Sequence, residues 1–235
     1  MMLVRDILEQ LAFSELAHTN IGGDSDTEVT EQSKYLQVIP AINSALEALH
    51  TRFELKFNNI LLEQVGHIAT YYLRKDYAES SNSGQEFKYL KDSTITPFLG
   101  DIIRIDRVID DCNTAVFVNN ESECSSVFLP TYDSIEFPAP VHGRVFNIIY
   151  QANHKKLAIE GVDVPNQEVV LPPAFNEALL AYIGYRVYKN RKSLNGESPS
   201  NNYFSIYQSE CARLESKNAV NLISANQSVR DSGWV

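Results

Sequence analysis

Residues that could act as nucleophiles, bases or metal ligands are scattered along this chain of 235 residues. Its histidines form no HExxH or His-x-His pattern, and therefore they predict no metal site. The patterns GxSxG, GxGxxG and GxxxxGK followed by Ser or Thr do not occur either, so neither a nucleophile elbow nor a phosphate-binding loop is indicated. The five histidines are His18, His50, His67, His142 and His154.

Two pairs of residues could still support chemistry. Cys112 and His142 could form a thiol nucleophile with its base, although a cysteine more often serves as a small buried hydrophobe. Asp110 and Asp111 could form an acid–base dyad, but two aspartates directly after a strand are typical of a turn. We therefore expect no catalytic residue, no metal and no cofactor.

A third cluster consists of four carboxylates within eight residues. Asp24, Asp26, Glu28 and Glu31 follow Gly22-Gly23, which suggests calcium at first sight. Their spacing is not that of the twelve-residue calcium-binding loop with its closing glutamate. A solvated acidic loop is the preferred interpretation.

The composition is that of a folded protein with an acidic surface. Hydrophobic residues make up 44% of the chain, and its formal net charge is −10. Such a charge argues against a general nucleic-acid or anionic-membrane binder, because phosphate neutralisation needs clustered Lys and Arg. Three cysteines without CxxC spacing indicate reduced thiols. The charged N-terminal segment does not resemble a signal peptide, and no apolar run approaches membrane-spanning length, so we expect the chain to be made in the cytoplasm.

One amphipathic segment, residues 172–192, is predicted to be the helix against which the rest of the fold packs. It opens with two prolines, which a first helical turn tolerates, and it ends before Asn195-Gly196. Lys189, Arg191 and Lys192 place positive charge at the end of the helix dipole. Its aromatic side chains are better explained by packing than by base stacking, namely Tyr182, Tyr185 and Tyr188.

Apolar periodicity predicts three more helices and a strand-rich middle. The helices cover residues 3–16, 34–53 and 203–217, with a kink or a late start at Pro40. Alternating runs predict strands at 53–57, 60–64, 67–73, 103–108, 115–118, 134–137, 144–150 and 168–171, with a turn at 58–59. The predicted fold is α+β: a bundle of long helices, an N-terminal pair and a C-terminal pair, packed with an antiparallel, β-rich middle region. The predicted domains are 1–53 with 172–218, then 54–171, followed by an extended arm at 219–235.

The last residues, 219–235, have little helical tendency and carry the only tryptophan of the chain, Trp234. An aromatic side chain on such an arm can anchor an interface, because it buries a large area at small entropic cost. The arm could equally be disordered or fold back on its own subunit. We call residues 219–235 the C-terminal arm.

The order of these elements resembles the head-to-tail adaptor, or connector, proteins of tailed bacteriophages, including the tail-tube adaptors of short-tailed phages. The segment Ile39-Pro-Ala-Ile-Asn-Ser-Ala-Leu-Glu-Ala-Leu is similar to the family's early "Leu-Asn-x-Ala-Leu" helix. Thr96-Pro-Phe-Leu-Gly-Asp-Ile-Ile-Arg-Ile-Asp-Arg-Val resembles its "Leu-Pro-x-Asp…Arg-Ile-x-Arg-Val" strand. Val170-Leu-Pro-Pro-Ala-Phe-Asn-Glu-Ala-Leu-Leu-Ala-Tyr-Ile-Gly-Tyr-Arg resembles its "Leu-Pro-x-x-Tyr-x-x-Ala-Leu-x-x-Tyr-x-Ala-x-Arg" helix. Tyr203-Phe-Ser-Ile-Tyr-Gln-Ser-Glu-Cys-Ala-Arg-Leu resembles a closing helix that ends in "Glu-x-x-Arg-Leu". The chain departs from the family pattern at Phe98-Leu99-Gly100 and in a longer middle, residues 112–143.

The resemblance implies a virion structural protein of the phage neck that is not an enzyme. Such adaptors form a ring, usually of twelve copies, assembled in the host cytoplasm, and DNA passes through its lumen without specific binding. The ring would contact the portal protein on one side and a tail tube or nozzle protein on the other. Carried over by position, the portal-docking residues would be Leu222, Ile223, Val229, Arg230, Trp234 and Val235. Another neck or tail-completion ring protein, or a small enzyme without recognisable motifs, are the alternatives.

Overall fold

The chain is described by a computed structural model that covers residues 2–14, 16–17, 31–123, 125–160, 162–189 and 199–217. The protein divides into two compact units. The first unit combines residues 1–54 with residues 154–235, and the second consists of residues 55–153. Residues 154–171, which the sequence grouped with the β-rich region, belong to the unit that contains the helices.

The predicted bundle of long helices is wrong. Within the described residues the protein is a mixed α+β structure, with two helices before and two helices after a middle region of several small sheets. The helices are α1 (Val4–Phe13), α2 (Glu31–Arg52), α3 (Asn176–Tyr188) and α4 (Pro199–Ser216). The error arose because apolar periodicity was extended over flanking segments that form turns and short strands. Before α3, for example, Pro173–Phe175 form a 3-10 turn rather than the first turn of the α-helix.

In the first unit, α3 packs against each of the other three helices, as its broad apolar face predicts. Phe175, Leu179 and Ile183 are fully buried along its length. The ring of Phe175 meets that of Phe53 edge to face, with 4.9 Å between their centroids. A two-stranded antiparallel sheet joins β1 (Met2–Leu3) to β8 (Glu168–Val169), so that the start of α1 is held next to the segment leading into α3.

Helix α2 starts earlier than its sequence suggested and contains Pro40 in its interior. The buried side chains of α2 follow a helical stripe on both sides of the proline, among them Val38, Ile39, Ile42, Leu46 and Leu49. Pro40 is exposed and therefore does not disturb this stripe.

The second unit is built on a four-stranded antiparallel sheet. Its strands are β2 (Phe57–Glu63), β4 (Leu90–Lys91), β5 (Ile102–Ile109) and β7 (Val145–Ala152). They lie side by side in the order β4-β2-β7-β5. A separate two-stranded sheet pairs β3 (Thr70–Tyr72) with β6 (Ser134–Glu136). One apolar cluster, which includes Leu62, Tyr71, Ile135 and Ile148, fills the interior of this unit.

Several details of the strand prediction are wrong. Of the strand predicted at 53–57 only Phe57 belongs to a strand, and residues 115–118 form only isolated bridges. Asn58 and Asn59 do not form a turn but lie within β2, where they pair with β7. On β5 the buried residues are Ile102, Ile105 and Val108, a spacing of three rather than two. Two register irregularities in the pairing with β7, between 102 and 104 and between 105 and 107, produce this phase change.

Candidate docking root at the end of the last helix

The portal-docking residues predicted from the resemblance, including Trp234, lie outside the described residues. Helix α4, from which the C-terminal arm continues, is described to its end. We call the last two turns of α4, together with the side chains that hold them, the docking root. Its geometry determines where the arm begins.

An aromatic ladder joins α3 to α4. The ring centroid of Tyr182 lies 4.9 Å from that of Tyr207. One turn further along α3, the ring centroid of Tyr185 lies 5.0 Å from that of Phe204, which is nearer the start of α4. The ladder ends where the ring of Tyr188 stacks on that of Tyr203, with centroids 5.4 Å apart and planes only 10° from parallel. The packing interpretation of the α3 tyrosines is therefore confirmed, and the two helices form an antiparallel pair with a defined register.

Gly184 makes this close approach of the two helices possible. A Cβ placed on Gly184 would lie 3.0 Å from Cδ1 and 3.1 Å from Cγ of Tyr203. Carbon atoms normally rest about 3.5–4.0 Å apart, so the ring of Tyr203 occupies space that only a glycine leaves open. The glycine within the helical pattern thus has a packing role.

The last turn of α4 is fixed by the guanidinium group of Arg52, at the end of α2. Its Nε donates to a carboxylate oxygen of Glu215 over 2.7 Å, and its Nη1 donates to the side-chain oxygen of Gln208 over 3.0 Å. The hydrogen bond from Arg52 lowers the pKa of Glu215, while the same bond raises the pKa of Arg52. One side chain therefore holds two successive turns of α4.

The residues of α4 that carry the resemblance form a surface ion pair and contribute two buried side chains. Glu210 and Arg213 make an ion pair of 2.6 Å on the surface, one turn apart. Cys211 and Leu214 are buried, and burial raises the pKa of the Cys211 thiol. Burial likewise raises the pKa of Tyr207. The thiol is thus a small apolar group of the core.

Asn43, the polar residue of the early helix motif, holds α2 to the segment after the second unit. Its side-chain amide donates to the carbonyl oxygen of Leu157 over 3.0 Å and accepts from the N–H of Leu157 over 2.9 Å. Ala45 and Leu46, the apolar residues of the same motif, are buried. The motif therefore combines two hydrogen bonds to the backbone of Leu157 with a buried helix face.

The two described histidines of the first unit, His50 and His154, contact each other. His50 is buried in the last turn of α2, and its ring lies edge-on to that of His154, with centroids 5.7 Å apart. Nε2 of His154 accepts a hydrogen bond from the N–H of Val170 over 3.1 Å, and its Nδ1 lies 2.6 Å from the carbonyl oxygen of Lys155. Since an acceptor at Nε2 must lack a proton, this geometry places the proton on Nδ1.

In the second unit, Asp110 and Asp111 form a turn, as predicted. Oδ1 of Asp110 accepts from the N–H groups of Cys112 and Thr114, over 3.0 and 2.8 Å. A ligand atom from each of Asp110, Asp111 and Cys112 lies within 4.8 Å of the others. The guanidinium of Arg144 lies 3.6 and 3.8 Å from the two carboxylates and compensates their charge, so this cluster is better described as a capped turn than as a metal centre.

The hypothetical pair of Cys112 and His142 finds no support. Cys112 is exposed within the turn that Asp110 caps, and the exposed His142 lies next to Gly66 at the end of the β2 strand. Within the described part of the chain no hydrogen bond joins the two side chains. The acidic residues Asp24, Asp26 and Glu28 lie outside the described residues, and nothing is described of the side chain of Glu31.

Sequence reasoning missed several residues whose contacts position the helices of the first unit. The position of Gly184 between two tyrosines of a helix was the available signal, because an interior glycine costs about 1 kcal/mol relative to alanine and needs a reason. The partners of Arg52 and Asn43 lie 163 and 114 residues away along the chain. No local pattern could have indicated them.

No protein-family model matches this chain, and no curated protein matches it significantly. Among the helices that the structure describes, none has the length and apolarity required to cross a bilayer. The function must therefore be argued from the geometry and from the motifs.

Proposed function

We propose that this protein is a head-to-tail adaptor of a tailed bacteriophage, a virion structural protein that forms a ring between the portal and the tail. Its C-terminal arm, with Trp234 as the aromatic anchor, docks on the portal protein, and the opposite face of the ring receives a tail tube or nozzle protein. DNA passes through the lumen. The location follows from this role: the neck of the virion, after assembly in the host cytoplasm.

The observation that carries the proposal is the structure of the four segments on which the resemblance rests. They adopt, in chain order, the helix α2, the strand β5, the helix α3 and the helix α4, which are the types of element that the resemblance implies. The three helices belong to one unit and pack there on α3. Agreement in element type and packing supports the resemblance at the level of the fold, and the function is proposed from it by analogy.

The docking root supports the role given to the arm. Arg52 and the aromatic ladder hold α4 in one orientation, so that the arm starts from a defined point. In a ring every copy would present this point at the same height, and the arms could engage several portal subunits at once. Linked contacts of this kind bind far more strongly than each arm alone, provided that every arm can reach its site.

The charge of the chain is compatible with a DNA conduit. With a net charge of −10, the protein repels phosphate overall, and counterion release would not hold the DNA in place. A channel that must allow DNA to pass benefits from the absence of strong attraction.

The test measures mass rather than activity. Full-length protein, a truncation after Ile223, Trp234→Ala and a variant with residues 224–235 in scrambled order are each mixed with portal rings from the same genome and weighed by native mass spectrometry. We expect a ring-sized complex with the full-length chain only, and strongly reduced binding with Trp234→Ala, since a buried aromatic anchor contributes a large share of an interface's affinity. The scrambled variant controls for the composition and length of the arm. A full-length chain that ignores portal rings, or a scrambled arm that binds as well as the natural one, would contradict the proposal.

A further inference from the structure

An exposed aromatic ring lies among carboxylates on the surface of the first unit. Phe13, in the last turn of α1, is 89% exposed. It lines an open groove of about 560 Å³ between α1 and the start of α3. The same groove is lined by Leu180, which is buried, and by three carboxylate residues, Asp6, Glu9 and Glu177. We call this site the α1–α3 groove.

The negative charge of the groove is only partly compensated. One carboxylate oxygen of Asp6 lies 3.5 Å from Nε of Arg5, and the other accepts from the N–H of Leu3 over 2.9 Å. Glu9 and Glu177 are exposed, and within the described residues neither makes an ion pair. The dipole of α3 favours Glu177 at its first turn but supplies no cation. Two carboxylates therefore remain available to a partner.

The combination of an aromatic ring with carboxylates selects a cationic side chain as that partner. A guanidinium or ammonium group can lie over the face of Phe13 while it pairs with a carboxylate. The long stems of Arg and Lys are apolar and can cover the ring as they pass it. An uncharged apolar segment would leave the carboxylates unpaired, and a free cation would leave the ring exposed. The groove therefore fits a protein segment rich in Arg or Lys.

The chain itself carries one such segment, at the other end of α3. Arg186 and Lys189 are exposed, and neither makes an ion pair in the part of the chain that the structure describes. Arg191 and Lys192 follow in the sequence, and no other stretch of seven residues contains four Arg or Lys. The next carboxylate residue after Glu177 is Glu197. We call residues 186–192 the basic segment.

The groove and the basic segment lie at opposite ends of α3 and on opposite sides of it. Glu177 and Arg186 are nine residues apart in the helix. That distance corresponds to roughly 14 Å along the helix axis and to about two and a half turns, so the two side chains point in opposite directions. The geometry therefore favours a contact between two copies over a contact within one copy.

From these observations we propose that the α1–α3 groove of one copy receives the basic segment of a second copy, with a guanidinium group over the ring of Phe13 and ion pairs to Glu9 and Glu177. Two different surfaces on opposite sides of one helix give a head-to-tail contact, which closes into a ring when the rotation between copies permits. Complementary charges of this kind set the register of a contact and speed its formation. The inference rests on the proposed function, because it identifies a subunit contact of the adaptor ring.

DNA could pair with the basic segment as well, since Lys and Arg neutralise phosphates. It could not occupy the groove, whose carboxylates repel phosphate. A contact between copies uses both surfaces and explains why an acidic chain concentrates cations at one end of α3, so it is the better supported of the two.

Two charge-reversal variants test the contact from its two sides. The groove variant carries Glu9→Lys with Glu177→Lys, and the segment variant carries Arg186→Glu with Lys189→Glu; all four side chains are exposed. Each variant alone should associate at least about thirtyfold more weakly than the natural chain in sedimentation velocity, because like charges then meet. Matched controls make the same charge changes at other exposed sites and should leave association unchanged, namely Glu121→Lys with Glu123→Lys and Lys155→Glu with Lys156→Glu.

Mixing the two variants gives the decisive result. The natural groove of the segment variant can accept the natural basic segment of the groove variant, and the reversed charges attract each other at the other end of each pair. The mixture should therefore form particles of twice the 26.5-kDa monomer mass or larger, at concentrations where each variant alone stays monomeric. A mixture that stays monomeric, single variants that associate as well as the natural chain, or a natural chain that does not self-associate would each overturn the inference.

Two further measurements separate the alternatives. A segment variant that loses binding to duplex DNA, in a mixture that does not pair, would assign the basic segment to DNA and overturn the contact between copies. All four substitutions lie outside the C-terminal arm, so each variant should still bind portal rings. Variants that bind the portal while the mixture fails to pair would remove the subunit contact and leave the adaptor role intact. A mixture that pairs, from a protein that never binds the portal, would support the contact and contradict the adaptor role.

Discussion

Gly184→Ala should destabilise the first unit, although alanine is the better helix former. On an open helix surface the substitution would stabilise α3 by about 1 kcal/mol, because glycine loses more backbone entropy on folding. Here the new Cβ would lie 3.0–3.2 Å from three atoms of the Tyr203 ring. Tyr203 cannot simply move away, since its ring stacks on that of Tyr188.

The balance of the two effects sets the expected magnitude. Overpacking of this kind costs about 1–3 kcal/mol, so the steric cost should exceed the gain in helix propensity. We expect the free energy of unfolding to fall by about 1 kcal/mol. In a Tyr203→Ala background the steric cost disappears and only the propensity term remains. There, Gly184→Ala should raise the free energy of unfolding by about 1 kcal/mol.

The assay is urea unfolding of the four proteins of this double-mutant cycle, followed by far-ultraviolet circular dichroism. All four described helices belong to the first unit, so the helical signal reports chiefly on that unit. The two backgrounds should differ in the effect of Gly184→Ala by about 2 kcal/mol, well above the coupling expected for independent sites. Equal effects in both backgrounds, or stabilisation in the natural background, would refute the role assigned to Gly184.

Three further predictions concern other contacts. Asn43→Ala removes both hydrogen bonds to the backbone of Leu157 and should lower the free energy of unfolding in urea by about 2 kcal/mol; a loss below about 0.5 kcal/mol would contradict the role of these bonds. Burial raises the pKa of Asp133, but hydrogen bonds, with Arg74 foremost, outweigh burial and hold it below its ordinary value. Its contribution to stability is thus complete above about pH 4 and is lost as the pH falls through the folded-state pKa, and Asp133→Asn should flatten the acid dependence of thermal unfolding. Gly100→Ala should lower the free energy of unfolding by about 1 kcal/mol because Gly100 has a φ of +63°, whereas Gly100→Asn should be tolerated better; equal effects in a thermal melt would contradict this reasoning.

The sequence predicted the elements with strong apolar periodicity and failed where packing overrides a local signal. The helix around Leu179 and the strand around Ile148 were found because their buried faces repeat at the period of their element. Asn58-Asn59 predicts a turn because asparagines favour turns, but pairing with β7 keeps the pair in a strand. The bundle of long helices was an overextension of the same periodicity across the residues before α3.

The candidate sites were less predictable, because their important contacts are long-range. Leu222, Ile223, Val229, Arg230, Trp234 and Val235 remain a prediction from the resemblance. Asn43 is an ordinary polar residue of a helix in the sequence, and only the fold shows its two hydrogen bonds to the backbone of Leu157.

The contacts at the docking root differ in what they contribute. An exposed ion pair such as that between Arg52 and Glu215 adds little to stability, since water screens both charges. The attachment of α4 to the first unit comes instead from buried Leu214 and from the aromatic ladder. Arg52 also binds Gln208, two turns earlier on α4. Its two hydrogen bonds therefore fix the orientation of the last turns of α4 relative to the end of α2. Stability and position at the docking root therefore depend on different residues, and variants can separate them.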